Sequence, residues 1–195
     1  AIVYARQENL KESIHYYNLV LDQTTAPVSK AKIHAEMAKT FLANIDYRQS
    51  WNQIRLGLEI LGTNLNKNPL FEFTSMVKEI IFTIIIQKTG LFYGTKNKKN
   101  LEIFKLESYF YYLAADVCWF QLRTFKIIPL VFHALYKSHR VGNSPELTDT
   151  LARVCIVFAE LKLIKWGELY AAKAVKIAET LNSAPDLLYA ITSTS

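Results

Sequence analysis

Residues 38–57 read AKTFLANIDYRQSWNQIRLG, and the spacing inside this stretch decides the fold. Small side chains stand at Ala38, Ser50 and Gly57, that is, twelve residues before an anchor, at it, and seven after it. Phe41, Tyr47 and Ile54 stand nine before, three before and four after. Around Gly167 the same offsets give Cys155, Phe158, Ile164, Ala171 and Ala174. Around Ile127 they give Ala115, Cys118, Thr124, Val131 and Ala134, and around Ser13 they give Ala1, Tyr4, Leu10, Tyr17 and Val20. Residues three and four apart share one helix face, and the short break Asn44-Ile45-Asp46 divides the stretch. The spacing therefore predicts two antiparallel helices joined by a tight turn. Recurrence of such a unit predicts stacked pairs, which bury their cores against neighbours and offer surfaces rather than reactive centres.

The rest of the chain is read from that unit. Helix one runs from near Ala1 or Asn9 to Leu21, and Pro27 opens the second helix with Thr25 or Ala26 as its cap. The second helix turns Ile33, Met37, Phe41 and Leu42 to one face, and the third turns Trp51, Ile54, Leu58 and Leu61 inward. Residues 62–100 interrupt the rhythm. Leu70–Lys88 is so rich in Ile and Phe that a helix buried on most sides is expected. A strand at Ile80–Ile86 is the alternative, because β-branched residues dominate there. A membrane span is not expected, because the charge-free run from Ile80 to Gln87 is far short of the roughly twenty residues a span needs. Leu101–Gln121 is a long aromatic helix. The next helix carries Pro129 in or near its first turn and closes at Val141-Gly142-Asn143. Ser144-Pro145-Glu146 starts the following one as cap, first-turn proline and first-turn acid. The helix from Ile164 to about Leu181 carries Leu169, Ala172, Val175 and Ile177. Ala184-Pro185-Asp186 opens one more. The chain begins mid-pattern at Ala1, so a piece of a longer protein is expected.

Composition narrows the class. A chain of 195 residues suits one sizeable domain. The hydrophobic fraction of 51% and charged fraction of 21% are those of a folded protein. Only six glycines and five prolines occur, which suits long helices. The net charge of +6 is spread along the chain, so nucleic acid is not expected as a partner. Lys96, Lys98 and Lys99 form the one tight basic cluster, read as a solvated loop with an anionic partner as the alternative. Cys118 and Cys155 sit inside apolar helical patterns and are read as core thiols. The lack of a disulfide framework and of a glycosylation motif favours a cytoplasmic setting.

No reactive constellation is found. Phosphate-binding glycine loops, HExxH and paired metal cysteines are all missing from the sequence, so no catalytic residue, metal or cofactor is expected. His15, His34, His133 and His139 are read as surface or core-edge residues, and His34 as a packing residue. Of the acids Asp116, Glu107, Glu160, Glu168 and Glu179, Asp116 draws most interest, because a carboxylate buried on an aromatic helix can serve a pocket. The concave face of stacked pairs is where partners bind, and Lys39, Asn44, Tyr112, Asp116 and Arg153 are the candidate groove residues.

The offsets around Ser50 and Gly167 resemble the tetratricopeptide repeat, with units about 37 and 40 residues apart and Ile127 in place of a small residue. Residues 143–154, Asn-Ser-Pro-Glu-Leu-Thr-Asp-Thr-Leu-Ala-Arg-Val, extend the likeness, as do Leu161-Lys-Leu-Ile-Lys-Trp-Gly167 and Ala171-Ala-Lys-Ala-Val-Lys-Ile-Ala-Glu179. So does Gly57-Leu-Glu-Ile-Leu-Gly-Thr-Asn-Leu65. These stretches resemble the helical repeats that follow the ATPase module of large signalling proteins. Among those are soluble-type class III adenylate cyclases and transcription activators of the maltose-regulator type. The resemblance implies an all-α right-handed α-α superhelix of antiparallel pairs, about eight or nine helices forming a single domain over 1–195. It also implies a non-catalytic scaffold or regulatory role, because the family's cyclase and nucleotide-binding residues lie in other domains. Its partners would be proteins, peptides or neighbouring domains of the same chain. Two other readings are carried: a free-standing peptide-binding adaptor, and an all-helical enzyme or ligand-binding domain with a pocket near Asp116.

Overall fold

Two side chains set helix starts, Ser144 as the sequence signals and Asp46 in the break before the third helix. Asp46 accepts from the Gln49 N–H at 3.0 Å, and Ser144 accepts from the Leu147 N–H at 3.3 Å. Each satisfies one of the backbone donors that a first turn leaves unpaired. The computed structural model of the chain describes residues 10–65 and 68–182. Within them lie α1 (Leu10–Gln23), α2 (Pro27–Ala43), α3 (Tyr47–Ile60), α4 (Pro69–Thr89), α5 (Lys98–Phe120), α6 (Thr124–Val141), α7 (Pro145–Glu160) and α8 (Ile164–Leu181). No strand occurs among the described residues, so the all-helical expectation is met, and the segment 80–86 is helix. Pro27 follows Ala26 as cap, whose side chain has no oxygen to offer. Pro129 falls inside α6, beyond its first turn. Ala1, Tyr4 and the expected helix at Ala184-Pro185-Asp186 lie outside the described residues.

The recurrent spacing has a backbone counterpart. Ile45, Leu122 and Lys162 all adopt left-handed conformations, with φ of 63°, 55° and 59°. In each case the residue's N–H bonds the carbonyl three residues back, and the next N–H bonds the carbonyl five back. The pairs are Ile45–Leu42 at 3.0 Å with Asp46–Phe41 at 2.9 Å, Leu122–Trp119 at 3.0 Å with Arg123–Cys118 at 2.9 Å, and Lys162–Ala159 at 2.9 Å with Leu163–Phe158 at 2.8 Å. These are Schellman ends, which use up the last helical carbonyls and reverse the chain. Each left-handed residue stands five before its anchor, Ser50, Ile127 or Gly167. The offsets at minus twelve and zero are buried in all three, as Ala38 with Ser50, Ala115 with Ile127, and Cys155 with Gly167. The offset at minus three is not: Thr124 and Ile164 are exposed there.

Two compact units are defined by their internal packing. The first comprises the described residues before position 68 together with Leu113–Ile127. Here Tyr17, Met37 and Phe41 form a cluster with Leu10, Ile14 and Ile33 against it. Ile54 and Leu58 of α3 have no exposed surface, and burial of each stabilises by about 1.5–3 kcal/mol. Trp51 and Leu61, expected inward, are only half-buried, because they lie to the side of the seam that Ile54 and Leu58 fill. His34 Nδ1 and Gln53 Oε1 meet at 2.7 Å between α2 and α3, so His34 packs as expected but with a polar partner.

The second unit comprises Asn68–Tyr112 and the described residues from Ile128 onward. Phe110, Leu130, Leu135, Leu147, Leu151 and Val154 are among its deepest side chains. A chain of hydroxyls crosses the core, Ser108 to Ser138 at 2.7 Å and Ser138 to Thr150 at 2.9 Å. The buried face of α8 is Gly167, Tyr170, Ala174 and Ala178, whereas Leu169 and Ala172 face outward and Val175 and Ile177 are half-buried. Small residues set that face because α8 approaches α7 closely, Gly167 against Cys155. The expectation that α4 is buried on most sides needs correction. Met76, Thr83 and Ile86 are buried, but Leu70, Phe71, Phe73, Val77, Ile81, Phe82, Ile84 and Ile85 are exposed. No helix among the described residues is long and apolar enough to cross a membrane.

Candidate functional site

The second unit contains a cavity of about 270 Å³. Ile86, Gln87 and Gly90 of the end of α4 line it, with Tyr93, His139 near the end of α6, Leu147 and Leu151 of α7, and Lys173, Lys176 and Ile177 of α8. The elements meet there because the loop after α4 is tied to the end of α6. Gly94 N–H donates to the His139 carbonyl at 3.0 Å, and the Tyr93 hydroxyl bonds Asn143. Gly90 and Gly142, at φ of 70° and 92°, supply the left-handed turns that this tie requires.

A single polar chain runs along the wall. His139 Nδ1 lies 2.8 Å from the Leu135 carbonyl, which can only accept, so this nitrogen carries the proton. Nε2 is then an acceptor, and the Gln87 amide donates to it at 3.1 Å. Gln87 Oε1 in turn accepts from the Lys173 ammonium at 2.7 Å. Burial pushes His139 down to about 4 against the raising effect of its bond to Leu135, and the Lys173 ammonium lowers it further. The ring is therefore neutral near pH 7. Burial also lowers Lys173 and raises Tyr93. Tyr170 is raised by burial as well, partly offset by its bond to Gln87.

Two carboxylates of this unit, Glu79 and Glu107, are paired structurally. Glu79 Oε2 meets His133 Nδ1 at 2.5 Å, and Tyr111 stacks on that ring with centroids 5.0 Å apart. Burial, reinforced by Glu79 and Glu107, pushes the Tyr111 phenol upward, so it stays protonated. Glu107, only 3% exposed, pairs with Lys137 at 2.9 Å. Both contacts join α6 to a neighbouring helix.

Among the expected groove residues, Tyr112 and Arg153 come together: the Arg153 guanidinium lies 3.6 Å from the Tyr112 ring centre. Lys39 and Asn44 are exposed, and Asn44 donates to the Thr40 carbonyl at 2.9 Å. Asp116 is half-buried and does not line the cavity. The deeply buried carboxylate is Glu107, while Glu160, Glu168 and Glu179 are exposed. His133 and His139 are buried rather than peripheral, His34 is buried as a packing residue should be, and His15 is exposed. Lys96, Lys98 and Lys99 are exposed, with Asn97 accepting from the Lys99 N–H at 3.0 Å to start α5. Cys118 and Cys155 are free and buried, as expected. Among the described residues no cluster of His, Cys, Asp or Glu could hold a metal ion.

The cavity residues Gln87, Tyr93, Lys173 and Lys176 went unread in the sequence. Gln87 and Lys173 are 86 positions apart, and neither stands in a motif. The one local signal was His139 followed by Gly142 at a helix end, which marks a close backbone approach. Comparison with protein-family models, with curated proteins and with solved structures finds no match.

Proposed function

We propose that this chain is a non-catalytic helical-repeat segment of a large cytoplasmic signalling protein, its pairs stacked as a right-handed α-α superhelix. Its role is to hold and regulate neighbouring domains or partner proteins. A cyclase-bearing or ATPase-linked parent is what the sequence resemblance favours. The observation that carries the reading is α4. Its eight exposed large apolar side chains cover about half the helix circumference. Apolar surface on that scale is a protein-interaction surface in a folded chain. The exposed charges on this helix are Lys78 and Lys88, both cationic. The matching surface is therefore an amphipathic helix with acidic flanks.

Photo-crosslinking from p-benzoylphenylalanine at position 81 in cells tests this. Adducts should converge on one helical segment with an apolar seam and acidic flanks. Adducts within the same polypeptide mark an intramolecular scaffold, and adducts on one other protein mark an adaptor. Val77→Glu, at an exposed position, should reduce the yield at least tenfold while leaving the melting temperature unchanged. Scattered adducts, or none, would sink the reading.

A further inference from the structure

We propose that the cavity bounded by α4, α6, α7 and α8 binds a small organic anion with an apolar tail, its head on Lys173 and Lys176 and its tail against Leu147, Leu151 and Ile177. This goes beyond the scaffold reading and does not depend on it. Three observations carry it. The wall has no carboxylate, and among the described residues neither lysine makes an ion pair. With His139 neutral, the described lining carries two ammonium charges and no carboxylate. The lining is otherwise largely apolar, with Ile86, Leu147, Leu151 and Ile177 in it. Bare inorganic phosphate or acetate would leave that surface dry and unfilled. Third, Lys173 is fixed rather than free. Gln87 is oriented by His139, and His139 by the Leu135 carbonyl, so the ammonium is pinned at 2.7 Å from Gln87 Oε1 with its other protons left for a ligand. Burial lowers Lys173, which is the cost that an arriving anion would relieve. A volume of about 270 Å³ lies just below the drug-sized range and suits roughly ten non-hydrogen atoms.

Titration calorimetry on the full chain with octanoate, octyl phosphate, octan-1-ol, octylamine and acetate tests the site. Octanoate or octyl phosphate should bind saturably at one site, and their ratio assigns the head group as carboxylate or phosphate. Octanol and octylamine should bind at least tenfold more weakly, and acetate at least a hundredfold. Lys173→Met should weaken the anion tenfold or more without changing octanol, and Leu151→Trp should abolish binding by filling the cavity. Lys176→Glu, at an exposed position, guards against a misfolded core variant: it should also weaken the anion several-fold with the helical circular dichroism intact. Equal affinity for octanol and octanoate would overturn the proposal. So would anion binding that survives both Leu151→Trp and Lys176→Glu, or no saturable binding by either anion.

Discussion

The Ser50 hydroxyl donates to the main-chain carbonyl of Ala38 at 2.9 Å, twelve residues back across the α2–α3 turn. Both residues are completely buried, so the two helices touch there with almost nothing between them. Gly167 and Cys155 hold the same relation in the α7–α8 hairpin: a Cβ added at Gly167 would stand 3.5 Å from the Cys155 carbonyl oxygen. The small residues at these two offsets are thus a packing requirement of the crossing.

That requirement separates two substitutions at one position. Gly167→Ala meets only ordinary van der Waals contact and gains helix propensity, so it should be neutral or stabilising by up to about 1 kcal/mol. Gly167→Leu forces the helices apart and should cost about 1–3 kcal/mol. Urea unfolding of both variants checks this. A leucine tolerated as well as alanine would mean that α7 and α8 do not approach closely.

The hairpins were legible because helix-helix contact at a tight turn leaves a periodic mark: small residues at Ala38, Ser50 and Gly167, the break Asn44-Ile45-Asp46, and a capping residue at Ser144. The minus-three offset does not mark burial: Thr124 and Ile164 follow the turn immediately and are exposed, whereas Tyr47 is half-buried. In α8 close approach to α7 selects small residues, Gly167, Ala174 and Ala178, for the buried face, and hydrophobicity alone does not mark them. In α4, apolar residues occupy almost every position, so periodicity could not distinguish the buried Met76 and Ile86 from the exposed Ile81 and Ile84. The cavity was illegible because its polar chain is assembled from α4, α6 and α8, and no single segment records it.

Gly142 offers a second test. Its φ is +92°, and an added Cβ would lie 3.2 Å from the Gly94 Cα. Both the left-handed backbone and the contact with another backbone oppose a side chain. Gly142→Ala should cost about 1–3 kcal/mol. Gly62→Ala, strained at φ +84° but with open space around it, should cost less. Chemical denaturation of the pair checks the ordering. Equal losses would remove the Gly94 contact as a cause.

Arg153 is half-buried with its guanidinium over Tyr112, so its role is partly packing. Arg153→Ala should cost about 0.5–2 kcal/mol through the lost cation–π contact and the lost cover of its methylenes. In the Tyr112→Leu background the same change should cost clearly less. A double-mutant cycle by thermal unfolding measures the coupling, and a coupling indistinguishable from zero would dismiss the contact.

His139 sets the acid limb of stability. Its ordinary value near 6.5 is lowered to about 4 in the fold. As pH falls between those values, the unfolded chain takes up a proton that the folded chain refuses. The stabilising contribution is therefore complete above about pH 6.5 and is lost progressively as pH falls through 4. Between pH 7.5 and 5 the loss should reach about 2 kcal/mol, before most carboxylates titrate. His139→Gln should remove that part of the slope. Lys173→Met should shrink it, because the ammonium is one of the groups holding the ring's pKa down. Urea unfolding across that pH range reads all three proteins. If wild type and His139→Gln ran parallel, the imidazole would already be solvated and the Gln87–His139 bond could not be what pins Lys173.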